Sequence, residues 1–292
     1  NPYDSNLRTS NPKNNMPAFV SVKDPKSGKT ILGAEDGVNQ SYCDLLFYVD
    51  ATPGSSIDDP ERPSIPDEGD KEEPKPDEDE NVTGTLAFED IWPSGGDYDM
   101  NDVIVEYERK VYFDKKNIVT KIVDEFTPVH DGATYVNAFA YQIDAAQIGD
   151  KITLPEGAIL EKETSSIIVM SNAKQNIGNK YVVTREFNGS FLKNQLLSYN
   201  PYIIVKYSQG EQNRTEVHLP KHKATAYANQ SLIGSNDDAY YIDRKGAYPF
   251  AIDIPMLGFT PVTERNRIDS QYPGFTTWAK SMGNDCKDWY KK

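Results

Sequence analysis

Only two cysteines occur in the 292 residues, Cys43 and Cys286. Alone and far apart, they make no disulfide framework, and ordinary free thiols are expected. No apolar run approaches the roughly 20 residues of a membrane-spanning helix. No run of lysine and arginine interrupts a chain whose formal net charge is −14. Neutralising phosphates needs clustered basic residues, so nucleic-acid binding is excluded. Catalytic signatures are missing as well: there is no Gly-x-Ser-x-Gly elbow, no P-loop and no dinucleotide fingerprint. The three histidines are His130, His218 and His222. The last two are four apart, but Pro220 between them opposes the helix that a zinc-binding pair requires. They read as ordinary loop or core histidines.

What is present is distributed unevenly. Hydrophobic residues make up 37% of the chain, low for a globular protein. The deficit and the charge share one origin. Residues 50–80 hold thirteen Asp/Glu against three Lys/Arg, a net of −10, which leaves −4 for the rest. Residues 51–82, rich in Pro, Ser, Gly and charge, bury too little surface to offset their ordering entropy. They read as an extended linker. Before it, residues 1–50 hold three strand-like stretches, Ala18–Val22, Thr30–Leu32 and Leu45–Val49. They make a short β segment, either the remnant of a preceding domain or a piece docking on the next one.

After the linker, residues 83–292 form the main domain. Its β-branched and aromatic runs are separated by Gly, Asn, Asp and Pro. Predicted strands are Val103–Phe113, Ile118–Phe126, Tyr135–Ile143, Ser166–Met170, Tyr181–Phe187, Pro201–Tyr207, Thr215–Leu219, Ala239–Ile242 and Phe250–Ile254. No long amphipathic helix interrupts them, so an all-β antiparallel sandwich, jelly-roll-like, is the expected fold. At the end, Ile268, Tyr272, Phe275, Trp278 and Met282 recur at three- and four-residue steps. That spacing predicts one or two short helices packed on the sandwich, with Pro273 in a first turn and Gly283 as C-cap.

One stretch carries chemistry. Ala87–Tyr107 reads AFEDIWPSGGDYDMNDVIVEY. Glu89, Asp90, Asp97, Asp99, Asn101 and Asp102 crowd around Gly95-Gly96 at the mouth of a strand. Calcium takes six to eight oxygen ligands on a flexible loop, and carboxylates, amides and backbone carbonyls supply them. Asp97, Asp99 and Asn101 alternate, and the glycines permit a tight backbone path. The spacing is not that of an EF-hand, whose sixth position is Gly where this loop has Asp102. Two alternatives stay open: all six residues serve a bound hard cation, calcium first, or the carboxylates only fasten loop backbone. Asn236-Asp237-Asp238 is a weaker acidic cluster that reads as a polar turn. A shorter copy of the loop pattern lies at Gly33–Val49, with Glu35, Asp36 and Asp44 kept and with Ser41 and Cys43 where the longer copy has Asp99 and Asn101.

The run Phe88-Glu-Asp-Ile-Trp-Pro-Ser-Gly-Gly-Asp-Tyr-Asp-Met-Asn-Asp102 resembles the start of the LruC-type domain of bacterial surface and secreted proteins, many from Bacteroidetes. Val217-His-Leu-Pro220, Gly234-Ser-Asn-Asp-Asp238, Pro249-Phe-Ala-Ile-Asp-Ile-Pro255, Trp278-Ala-Lys-Ser and Asp288-Trp-Tyr290 fit it too, so the resemblance covers roughly 84–290. It implies a cell-envelope or secreted protein, with a lipid anchor upstream of Asn1, and no established catalytic activity. The absence of Met at Asn1 fits a processed or truncated product. In that setting the Asn-x-Ser/Thr matches at Asn81, Asn188, Asn213 and Asn229 are chance. The expected protein is a non-enzymatic, monomeric envelope module that binds a glycan or a surface protein. A glycan-processing enzyme with a carboxylate pair and a purely structural spacer are the alternatives.

Overall fold

Residues 19–24, 29–34, 45–49, 78–189 and 191–291 are described in the computed structural model. The chain divides into two compact units, Asn1–Lys75 and Pro76–Lys292. In the first, β1 (Phe19–Lys23), β2 (Thr30–Ala34) and β3 (Leu45–Val49) form an antiparallel sheet in that order. The expected linker up to residue 77 lies outside the described residues. So do Glu35, Asp36, Ser41, Cys43 and Asp44 of the shorter copy.

The second unit holds eleven strands: β4 (Glu78–Phe88), β5 (Val103–Phe113), β6 (Val119–His130), β7 (Ala138–Gln142), β8 (Lys151–Thr153), β9 (Ile159–Glu161), β10 (Ser166–Met170), β11 (Tyr181–Glu186), β12 (Asn200–Val205), β13 (Thr215–His218) and β14 (Ala251–Ile254). They make two sheets, β14-β4-β5-β6-β11-β8 and β13-β12-β7-β10-β9, paired antiparallel throughout. The sheets bury one common core. Phe126 of one sheet meets Phe139 and Tyr141 of the other at ring-centroid distances of 5.1 and 5.0 Å. The fold is therefore an all-β sandwich, as the alternation of apolar residues predicts.

Three expectations need correction. Residues 78–82, read as linker, begin β4 and pair with the far half of β5, Glu78 opposite Phe113. They lie on a sheet edge, since β14 pairs only with residues 85–88. Ala239–Ile242 is not a strand. Tyr240 and Tyr241 have φ of 67° and 64°, incompatible with an extended chain, and the Ala239 amide closes a turn on the Ile242 carbonyl at 2.7 Å. The third concerns the end of the chain. α1 (Ile268–Gln271) and α2 (Phe275–Lys280) flank Pro273, which sits before α2 rather than in its first turn. The C-cap of α2 is Ser281. Gly283 (φ +83°) donates to the Trp278 carbonyl and Met282 to that of Ala279, a Schellman closure. The stripe is core at Ile268, Tyr272 and Phe275, where Phe275 meets Trp289 at 4.9 Å and Phe259 meets Tyr272 at 5.2 Å, whereas Trp278 is half-buried and Met282 exposed.

Candidate metal centre

The acidic loop joins two neighbouring strands, since Phe88 and Val103 face each other across the ladder. It is clamped at both ends and in the middle. The Glu89 amide donates to the Phe250 carbonyl at 2.9 Å, the Gly132 amide to the Asn101 carbonyl at 2.9 Å, and the Ile268 amide to the Tyr98 carbonyl at 2.8 Å. Tyr98 and Met100 both have φ of 54°, the left-handed region that costs an L-residue about 1–2 kcal/mol. Their side chains anchor the loop. Met100 is wholly buried, and Tyr98 packs on Tyr248 and Phe250 at 5.5 and 5.6 Å.

Between these anchors, three carboxylates meet. Glu89, Asp97 and Asp99 each bring one oxygen within 4.8 Å of the others. Glu89 is fully buried. Its Oε1 accepts from the Met100 amide at 2.6 Å, but its Oε2 is buried with no hydrogen-bond partner. Gly96 is what lets the backbone come this close: a Cβ there would stand 2.8 Å from Glu89 Oε2. Asp99 is buried too and takes the Arg265 amide at 3.0 Å. No lysine or arginine among the described residues forms an ion pair with Glu89, Asp97 or Asp99.

The electrostatics follow. Burial pushes the Glu89 carboxyl well above its ordinary value, and the Asp102 charge adds to it. Burial, then the charge of Asp97, raises Asp99 to about 6. Burial, then the charge of Asp90, raises Asp102 to about 7. A desolvated cluster of one sign either takes up protons or takes up a cation.

The other three candidate residues make fastening contacts. Asp102 Oδ2 accepts the Asp90 amide at 2.8 Å, tying the two ends of the loop together. Asp90 Oδ2 accepts from Asn137 Nδ2 at 2.8 Å, and burial raises its carboxyl. Asn101 Nδ2 donates to the Val262 carbonyl at 3.0 Å, while its Oδ1 is buried without a hydrogen-bond partner. Backbone fastening thus runs through Glu89, Asp99, Asn101 and Asp102, and two of these, Glu89 and Asp99, also belong to the carboxylate cluster with Asp97.

Sequence reasoning missed the groups that hold the loop from afar. Asp237 Oδ2 accepts the Gly95 amide at 2.9 Å, and Asp238 Oδ1 accepts from Trp92 Nε1 at 2.9 Å. The polar turn is therefore also a brace for the acidic loop. Asp131, beside Gly132, is buried 3.7 Å from Lys174 Nζ, and burial raises its carboxyl to about 6. His218 is a core residue. Its Nε2 lies 2.9 Å from Glu216 Oε2 and its Nδ1 2.7 Å from Asn200 Oδ1, with Arg214 on the same glutamate at 2.7 Å. Cys286 is a free, exposed thiol.

Residues 117–290 match a family model described as "Domain of unknown function (DUF4842)". That span begins after the acidic loop, so the match does not include the carboxylate cluster. No curated protein matches the chain. Among solved structures, a "Putative lipoprotein from Bacteroides ovatus" superposes with a TM-score of 0.55 at 18% identity, over 73% of this chain and 74% of that one. At that identity the likeness establishes a shared fold.

Proposed function

This chain belongs to the DUF4842 family, and from that premise we propose that it is a non-enzymatic cell-envelope module whose acidic loop is held by calcium. One observation carries the metal: Glu89 Oε2 is buried and unpartnered beside Asp97 and Asp99, with no basic side chain among the described residues paired to them. Calcium suits the donor set, which is all oxygen, and loop carbonyls and water complete its shell. Magnesium demands stricter octahedral geometry. Bound there, the ion joins the end of β4 to the stretch just before β5 and relieves the like charge. The envelope location and an upstream lipid anchor draw support from the resemblance to the LruC-type domain and from the fold shared with the described lipoprotein. The module would present its surface to a glycan or a protein partner.

The test is a thermal melt in EDTA and in millimolar calcium, on wild type and on Asp99→Ala. A ligand present at a hundred times its Kd stabilises by about 2.7 kcal/mol, or roughly 5–10 °C in a domain of this size. The expected result is such a rise in wild type and its loss in Asp99→Ala. Equal melts in EDTA and calcium would leave the loop a backbone fastener only.

A further inference from the structure

The inward row of β5 changes character along the strand. Val103 and Val105 are fully buried in the core, whereas Tyr107 and Arg109, next in the same row, are only half-buried. There the sandwich opens into a groove of two adjoining lobes, of about 320 and 310 Å³. Leu219, His222 and Asp253 line both lobes; Tyr107 and Arg109 belong to the first, and Trp278 to the second. These volumes fall at the small end of ligand-binding cavities.

The groove is built, not incidental. Tyr107 lies opposite Gly84 in the ladder, and a Cβ on Gly84 would stand 2.6 Å from the Tyr107 hydroxyl and 2.7 Å from its ring. The missing side chain lets the ring lie across β4 and donate to Asp253 of β14, at 3.1 Å to Oδ1 and 3.3 Å to Oδ2. Arg109 is held by Asp124 through Nε at 2.8 Å and stacks 3.1 Å above the Tyr199 ring. Its terminal amino groups make no hydrogen bond among the described residues. His222 uses only Nδ1, at 3.3 Å from Asn200 Oδ1. A carboxylate, a guanidinium and an imidazole thus line the first lobe beside a tyrosine and a leucine, and the carboxylate, the imidazole and the leucine continue into the second lobe, which the tryptophan lines.

We infer that this groove binds a neutral oligosaccharide. A sugar hydroxyl both donates and accepts, which matches a carboxylate next to a guanidinium and an imidazole. The C–H face of a pyranose ring packs on an aromatic surface, which Tyr107 and Trp278 offer. The charge pattern favours a neutral ligand: an anion drawn to Arg109 also meets Asp253, and a cation drawn to Asp253 also meets Arg109. Two lobes sharing three residues call for at least two sugar units. Among the described residues, Asp253 is the one carboxylate lining either lobe, so the acid pair of a glycosidase is absent from them and the site retains its ligand rather than cleaving it. This assignment rests on the envelope-module reading, gives that module its ligand class, and does not depend on the cation.

The experiment uses the whole chain and a panel of gluco-, manno-, galacto- and xylo-oligosaccharides, with hyaluronan oligosaccharides as the acidic control. Binding is measured by calorimetry for wild type, Asp253→Asn and His222→Ala, each in calcium and in EDTA, at a temperature below the onset of unfolding. The expected result is binding of at least one neutral oligosaccharide, weakened tenfold or more in both variants, with hyaluronan unbound. No neutral ligand, preference for hyaluronan, or undiminished binding in the variants would overturn it. Should Asp253→Asn fail to fold, His222→Ala, which gives up one long hydrogen bond, decides alone. Loss of the calcium response with sugar binding intact would sink the metal reading and leave this one standing.

Discussion

Glu89 is the residue on which the loop turns. Its carboxylate has one partnered oxygen and one buried oxygen without a partner, an arrangement worth about 1–3 kcal/mol of destabilisation when nothing answers it. Glu89→Gln removes the charge while keeping an acceptor for the Met100 amide. The cation-free variant is expected to melt above cation-free wild type, and calcium is expected to add nothing to it. A variant still stabilised by calcium would show that Glu89 is not a ligand. The pH dependence has a definite sign. Burial and the neighbouring carboxylates push Asp99 up to about 6 and Asp102 up to about 7 in the folded chain, against an ordinary aspartate value near 3.8. Between those values the cation-free folded chain holds more protons than the unfolded chain. Its stability is therefore highest below about pH 4 on account of these groups and declines as pH rises through 6 to 7. Calcium requires deprotonated ligands, so its binding releases protons and strengthens over the same interval. Melts from pH 4 to 8, with and without EDTA, check this; parallel curves would sink it. The six candidate residues stand out in the sequence because they crowd like charge around Gly95-Gly96. Their arrangement is not legible, because the partners that fix it, Arg265, Val262 and Asn137, lie far along the chain.

At the scale of elements, legibility follows periodicity. β5 and β10 are readable to their ends because β-branched and aromatic residues mark them out between polar turns. β4 is not among the predicted strands, and its first half reads as linker because an acidic run suits a sheet edge as well as it suits a linker. The turn at Ala239–Ile242 is hidden for one reason: propensity there favours a strand, while Asp238 just before it imposes the turn. Asp238 Oδ2 takes the Gly234 amide at 2.7 Å, and Oδ1 takes the Tyr241 amide at 2.5 Å and Trp92 Nε1 at 2.9 Å. Asp238→Ala leaves these donors unanswered, at about 1–3 kcal/mol for each that finds no water. The expected outcome is a melting point lower by several degrees, with the calcium rise kept, because the three clustered carboxylates are untouched. An unchanged melting point would show that the brace carries no weight. Gly96→Ala works the other way: its Cβ would press on Glu89 Oε2 and on Ile91 Cδ1, both at 2.8 Å, so the calcium rise should shrink more than the basal stability.

For the whole molecule, the decisive question is where the sandwich begins. Composition puts the border at residue 83, just past the acidic run. The ladder puts it earlier, because residues 78–82 pair with 109–113 of β5. That far half of β5 covers a small apolar cluster of its own, in which Val111 and Phe113 pack with Val119, Ile122 and Phe187, while Glu80 pairs with Lys193 at 2.8 Å. A fragment of residues 76–292 keeps both the common core and this cluster. It is expected to unfold in one cooperative transition and to retain the calcium rise. A fragment of residues 83–292 loses the edge of the ladder, several backbone hydrogen bonds of about 1 kcal/mol each, and exposes the β5 edge to pairing with other chains. It should melt lower and associate at high concentration. Comparing the two by calorimetry and light scattering separates the readings of 78–82: equal behaviour would return these residues to the linker, and a gap of several degrees would make them a strand of the domain.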